Sequence, residues 1–598
     1  MSTRQTNPAD RAGNSIMRVF RRIIILVGVY MVAAVFIAHT GVLFGDTIAR
    51  QTNAQIAIMS RDPHIAALGF VFNPLPSLMV MPLLFLRSFW VDWTAQGYVS
   101  DLTSAICMAL AASQIYRFAR SRSQSKAFAR IVTAGFALHP FIIIYGASGM
   151  SEAAFVLSLT AATRHLLRWQ ITDDLHDLAA AGLWLAFGYG ARYEAVVSVV
   201  GGAIIIIVHT WHRTHTEPGH HYLRRYLDVL IFVVPTFFTM ALLLFASWVT
   251  TGIWLAQFQS VYGNTAQIRR SGGSIGQIGL FTQQVIGLEA FWPFLLAFCL
   301  GSAFVRRDTS ITIPIAIFGP VLAFETFGEF TGGTRQWLRF FIVIIPFTCY
   351  LAILLRRTTH MPSALRIGAL ASKHPEAAKL GRVEARFVTL ILAFTLFGGA
   401  ALSTAAITNE TIAPEESTLI AQLRQRPLTQ GQVVISTKFL GATQLAAWLD
   451  RQNLHEGSVI VDAAYGFGVI AASRNQKQFV STPDQDFQIM LNGLGSRNIY
   501  YAITVPTFGL AHDALAVRYP GIFEGCLRYA QLVLEVGGPI GLSDNVHTDV
   551  FRVYDVSHAY APNVIVPGCL KRPTEVLPSY SLTSQSQKTF RYFCSLNT

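Results

Sequence analysis

Five ionisable side chains, Asp46, Arg50, Arg61, Asp62 and His64, fall within nineteen residues that directly follow the first long apolar run, 23–44. Charges beside hydrocarbon are expensive, so such groups are either solvated or used. More acids and arginines stand at the ends of later apolar runs. They are Ser151 and Glu152 in YGASGMSEAAF, Arg192 and Glu194 in GYGARYEA, and Arg269 and Arg270 before SGGS. Glu325, Glu329, Arg335 and Arg339 follow in FETFGEFTGGTRQWLRFFIVIIP. A carboxylate held away from bulk water can act as general base toward a hydroxyl or hold a cation. Arginine offers a planar fork of donors that matches phosphate oxygens. Together the two types suit a phosphate-bearing donor and a hydroxyl acceptor. Arg335 and Arg339, like Glu325 and Glu329, are four residues apart, which predicts a shared helical face for each pair.

Each candidate also has an ordinary role. Asp46 can cap a helix with Arg50 as its i,i+4 partner, and the Asp62-Pro63 pair can open a turn. Glu152 can cap the helix that Ser151 begins, Arg192 can pair with Glu194 across a turn, and Arg335 and Arg339 can snorkel to an interface.

These residues must be positioned by membrane helices. The chain has 598 residues, 52% hydrophobic and 13% charged, against about 25% charged in soluble proteins. Apolar stretches long enough to span recur as far as residue 407 and then stop. The first is expected to be an uncleaved signal-anchor. The net charge of +13 does not imply nucleic acid. Residues 408–598 hold 14 Lys+Arg against 15 Asp+Glu, and 24 of the other basic residues lie in six short segments. Assigning those segments to the cytoplasm gives about 11 spans, an inside N-terminus and an outside C-terminal domain. The apolar stretch 65–86 does not fit this threading and contains Pro74, Pro76 and Pro82. It is expected to be a juxtamembrane or re-entrant element.

The expected organisation is a cytoplasmic tail (1–18), a polytopic α-helical domain (19–407) with a large first outer loop (45–98), and an extracytoplasmic α/β domain (408–598). In the last, 433–437, 458–463, 478–482, 498–506 and 527–536 read as strands, and 441–452, 486–494 and 512–520 as helices. No nucleotide-binding glycine motif, CxxC or HExxH occurs, so neither a nucleotide nor a metal cluster is implied. Cys107, Cys299 and Cys349 fall in spans. Cys526, Cys569 and Cys594 fall in the outer domain, where Cys526 and Cys569, each in Gly-Cys-Leu, are the suggested pair.

Several of these motifs together resemble the GT-C superfamily of integral-membrane glycosyltransferases. They are the first span followed by a large loop with an early acid, Ser151-Glu152 after the third span, RFFIVIIP (339–346) leading into a Pro-containing span, and the C-terminal outer domain. Within that superfamily the chain looks most like the bacterial relatives of protein mannosyltransferases and aminoarabinose transferases. The resemblance implies transfer of a sugar from a polyprenyl-phosphate carrier to an extracytoplasmic acceptor (a cell-envelope glycan, lipid or protein) at the bacterial plasma membrane. It makes Asp46 the early-loop acid, Glu152 the second-loop acid and Arg339 the phosphate-facing arginine. The superfamily often has two adjacent acids in the early loop, whereas Asp46 and Asp62 are sixteen apart. Which of them is catalytic, and whether either holds a divalent metal such as Mg or Mn, stays open. Asp46, Asp62 and Glu152 are thus the catalytic candidates. Arg50, Arg61, His64, Arg192, Glu325, Glu329, Arg335 and Arg339 are the substrate-binding candidates. Two other readings are a non-catalytic glycan-binding sensor or anchor and a lipid or solute transporter. Charges clustered at span ends rather than mid-span, and the lack of an evident repeat, weigh against transport.

Overall fold

The computed structural model describes residues 8–122, 124–215, 221–260, 278–356, 375–506, 513–527, 530–537, 550–558 and 575–576. Arg269, Arg270, Cys569 and Cys594 lie outside the described residues, and with them the suggested Cys526 pairing. The chain divides into two compact units. One gathers 1–34, 101–243 and 275–413; the other gathers 35–100, 244–274 and 414–598.

The first unit is helical. Among the described residues of the whole chain, six helices are long and apolar enough to cross a membrane: Met17–His39, Ala195–His212, Tyr226–Thr251, Thr309–Phe330, Leu338–Leu355 and Arg386–Ile407. Two bent pairs, Lys126–Ala137 with Pro140–Gly146 and Ile278–Gly287 with Trp292–Arg306, raise the number to eight if each is one span. The three remaining sequence-expected spans are also helices, Tyr98–Ser121, Glu152–Thr172 and Leu175–Ala191. They are less uniformly apolar because they carry polar and charged side chains inward, such as Asp101, Glu152 and Asp177. Leu338–Leu355 is the interior helix. Its Tyr350 donates to the Thr160 carbonyl at 2.6 Å and packs against Phe118 and Phe318.

Small residues set how closely these helices approach, as expected where lipid gives no hydrophobic drive between them. A Cβ on Gly188 would lie 2.4 Å from Ser158 Oγ, so helix Leu175–Ala191 sits hard against Glu152–Thr172. A Cβ on Gly201 would lie 2.0 Å from the Ala316 carbonyl oxygen, which brings helix Ala195–His215 onto Thr312–Phe330.

The second unit is built on a six-stranded sheet. Its strands are β1 (Val459–Val461), β2 (Phe479–Ser481), β3 (Tyr501–Thr504), β4 (Gln531–Val536), β5 (Phe551–Asp555) and β6 (Glu575–Val576). Their order is β2-β1-β3-β5-β4-β6. β1 pairs in parallel with β2 and β3, whereas β5 runs antiparallel to both β3 and β4. Residues 45–98, expected as the first outer loop, are part of this unit. Ala54, Ile56 and Ala57 of helix Gly45–Met59 share one core with Leu445, Ala446, Val469 and Ile470. Thr94 Oγ1 donates to the Ala471 carbonyl at 3.0 Å, and Arg87 donates to the Ser473 carbonyl. Residues 65–86 form short helices, Ile65–Leu68, Leu75–Val80 and Met81–Ser88, with no helix of spanning length.

One strand expectation needs correction, and one strand was missed. Residues 433–437, rich in β-branched side chains, lie in helix Gln430–Thr437. Thr429 Oγ1 accepts from the Gln432 amide and Gln432 Oε1 accepts from the Thr429 amide, both at 3.2 Å. This capping box starts a helix and outweighs the propensity of VVIST. Strand β5, FRVYD, escaped the reading because it is short and charged, yet it lies between β3 and β4.

Asp513 gives this unit a pH dependence. It caps helix Ala514–Arg518 by accepting from the Leu515 and Ala516 amides, and burial together with neighbouring Asp462 pushes its carboxyl up to about 7. An unfolded Asp titrates near 3.9. The folded state therefore binds this proton more tightly, and its contribution to stability, full below about pH 4, is lost as pH rises through about 7. Thermal melts across that range are expected to show a falling Tm, and Asp513→Asn to flatten the slope.

Candidate active site

The first unit brings four of the sequence-selected residues together with Glu194. Glu152 begins helix Glu152–Thr172 and is buried, and Arg192 ends helix Leu175–Ala191 in extended conformation. The close packing at Gly188 sets the two ends side by side. Arg192 Nη1 donates to Glu152 Oε1 at 2.7 Å, and its Nη2 donates to Glu194 Oε1 at 2.5 Å. The close approach at Gly201 delivers Glu325, whose carboxyl lies close to those of Glu194 and Glu152. Arg192 is thus surrounded by three buried acids. Burial works against its charge, but Glu194, Glu152 and Glu325 outweigh it and hold its pKa well above the usual arginine value. Arg339 comes from the short turn Leu338–Phe341. Its Nε lies 3.8 Å from Glu152 Oε1, and its guanidinium stacks 4.2 Å from the centre of the Trp337 ring.

The four-residue spacings have different outcomes. Glu325 and Glu329 do share helix Thr312–Phe330, but Glu325 joins the buried acids while Glu329 sits beside the amide of Gln284. Arg335 and Arg339 do not lie on one helix. Gly332 at φ 68° and the amides of Gly333 and Thr334, both donating to the Gly328 carbonyl, turn the chain after residue 330. The two arginines converge instead on one indole, with Arg335 5.0 Å from the Trp337 ring centre. Sequence reasoning missed Trp337 and Gln284. The alternation of Arg with aromatics in RQWLRFF was the available signal for Trp337; none marked Gln284.

In the second unit Asp46 occupies the first turn of helix Gly45–Met59, whose N-cap is Phe44. Its carboxylate is 3.9 Å from Arg50 and its side chain 35% exposed, and Arg50 stacks on Phe72. Arg61 and Asp62 fasten their segment to the STPDQDF turn (481–487), and His64 braces Asp62. Arg61 pairs with Asp484 at 3.1 Å and donates to Asp486, Asp62 Oδ2 accepts from the Gln485 amide at 2.8 Å, and His64 Nδ1 lies 2.7 Å from the Asp62 carbonyl. Arg61 holds the Asp486 carboxyl below its usual range, whereas burial raises that of Asp484.

Among the described residues no three His, Cys, Asp or Glu side chains form a group that could hold a metal ion. Asp46 faces a guanidinium and Asp62 a backbone N–H.

Arg192 carries most of the buried charge balance. Removing one partner of a buried ion pair costs about 3–5 kcal/mol. Arg192→Met is expected to lower the stability of the purified protein by that order, read as the Tm in detergent, with partial recovery on adding Glu194→Gln.

Residues 95–238, which include Glu152, Arg192 and Glu194, match the family model described as dolichyl-phosphate-mannose-protein mannosyltransferase. Over that segment the match agrees with the GT-C resemblance. Solved structures similar to this chain include ArnT from Cupriavidus metallidurans bound to undecaprenyl phosphate. That structure is 11% identical, with 90% of this chain and 99% of that chain covered and a TM-score of 0.49. Another is the oligosaccharyltransferase of Archaeoglobus fulgidus tethered to an acceptor peptide, 10% identical, with 80% and 68% covered and a TM-score of 0.38. No curated protein sequence matches the chain.

Proposed function

We propose that this protein is a glycosyltransferase that moves a sugar from a polyprenyl-phosphate carrier to a hydroxyl of an extracytoplasmic acceptor, from a multi-pass position in the bacterial plasma membrane with its N-terminus inside. The observation that supports this most is the pair Arg335 and Arg339 against Trp337, beside the buried cluster of Glu152, Arg192, Glu194 and Glu325. Stacking on an indole engages the face of a guanidinium and leaves its in-plane N–H donors in the fork geometry that phosphate requires. Arg192, held between Glu152 and Glu194, keeps that part of the unit rigid and neutralises their charge.

In the reaction the bond between the sugar anomeric carbon and the carrier phosphate oxygen breaks, and the acceptor oxygen bonds to that carbon. The carrier leaves as its phosphate, whose developing charge Arg339 and Arg335 stabilise. The acceptor hydroxyl gives its proton to a carboxylate. Asp46 is the proposed base, since it is the more exposed acid of the early loop and Asp62 is occupied with the Gln485 amide. The second unit guides the acceptor.

The test uses purified protein in nanodiscs with radiolabelled polyprenyl-phosphate sugars and an envelope acceptor fraction. Acceptor-dependent release of carrier phosphate is expected. A folded protein that binds acceptor but never turns over the donor would favour the sensor reading instead.

A further inference from the structure

We propose that the membrane unit contains a second site, away from the arginine–carboxylate cluster, in which the Glu289 carboxyl binds one monovalent cation, either a proton or an alkali ion. Glu289 sits in the break of the Ile278–Gly287 and Trp292–Arg306 pair, which bends by 69°. The other bent pair meets it there. His139, in the 66° break between Lys126–Ala137 and Pro140–Gly146, places its Nε2 3.0 Å from the carbonyl of Leu288. The His139 Nδ1 accepts from the Phe141 amide at 3.2 Å, so Nε2 carries the hydrogen and the ring is neutral. His139 therefore supplies no positive charge to its neighbour.

Glu289 is buried, and its Oε2 has no hydrogen-bond partner among the described residues. Helix Arg386–Ile407 makes room for it at a glycine, since a Cβ on Gly399 would lie 1.9 Å from that oxygen. Among the described residues, Cys349 of helix Ile344–Leu355 interacts with it electrostatically, and His139 of the other break holds the adjoining Leu288 carbonyl. Neither is a cation. A lone carboxylate in such surroundings is too costly to persist, so it must carry a proton or hold an ion. The broken helix supplies what such an ion needs beyond the carboxylate. At this break the Val285 carbonyl accepts from Trp292 Nε1 at 2.9 Å and the Leu288 carbonyl from His139; the other carbonyls of a helix end have no partner along the helix, and broken membrane helices coordinate small cations with such groups.

The test is labelling with dicyclohexylcarbodiimide, which adds to protonated carboxyls in apolar surroundings, on the full chain in nanodiscs, read by peptide mass spectrometry. Glu289 is expected to label several-fold more in acidic than in alkaline buffer. Suppression by sodium, but not by choline, at constant pH identifies an alkali-ion site; indifference to sodium identifies a proton site. Glu289→Gln should abolish the label and Gly399→Ala, which displaces the carboxyl, should reduce it several-fold. Failure of wild-type Glu289 to label while another carboxyl does, or labelling unaffected by both pH and sodium, overturns the proposal.

Discussion

Arg339→Ala is expected to lower sugar transfer by about 1,000-fold, the scale on which an arginine stabilising phosphate charge acts, while leaving the protein folded. The two halves of this expectation have separate physical grounds. Loss of rate follows from removing the forked donor from the leaving phosphate. Retention of fold follows from Glu152, whose hydrogen-bonded partner is Arg192 at 2.7 Å and which Arg339 approaches only to 3.8 Å. The buried carboxylate is therefore not stranded, in contrast to Arg192→Met. Arg339→Lys keeps the charge but not the fork or the stacking on Trp337, so its rate should fall between wild type and alanine. If Arg339 only snorkelled to an interface, alanine and lysine variants would both retain near wild-type kcat.

Asp46→Asn is expected to lower transfer by about 100- to 10,000-fold, the usual range for loss of a general base. The alternative for Asp46 is a purely local role, and the two differ sharply in size. A half-exposed i,i+4 ion pair at 3.9 Å, together with a first-turn acid, is worth about 1 kcal/mol at most. Asparagine at this position therefore changes Tm little under either reading. Only the base role predicts a collapse of kcat at unchanged Tm, and transfer at the wild-type rate would return Asp46 to the local one.

Much of the membrane fold was legible because each apolar run declares its own helix. A resemblance was legible too, and the family match over 95–238 agrees with it in the segment that holds Glu152. Legibility ended where residues meet across long sequence distances. Nothing in GYGARYEA says that Arg192 will reach Glu152, since that contact depends on Gly188 admitting Ser158. The membership of residues 45–98 in the second unit was equally hidden. It rests on pairs such as Arg61 with Asp484 and Thr94 with Ala471, hundreds of residues apart. The helical reading of Arg335 and Arg339 failed for a local reason: the glycines at 332 and 333 end the helix before either arginine. Glu289 was passed over because one acid in an apolar run has no pattern, and its isolation is visible only once Gly399 and His139 are placed around it.

Whether Arg339 holds a lipid-phosphate donor is decided by titrating the purified protein with polyprenyl phosphate, following wild type, Arg339→Ala and Asp46→Asn side by side. Saturable binding by wild type and Asp46→Asn, weakened at least tenfold in Arg339→Ala, is the predicted result. Equal binding by all three, or no binding by folded wild type, would contradict a lipid-phosphate donor held by Arg339.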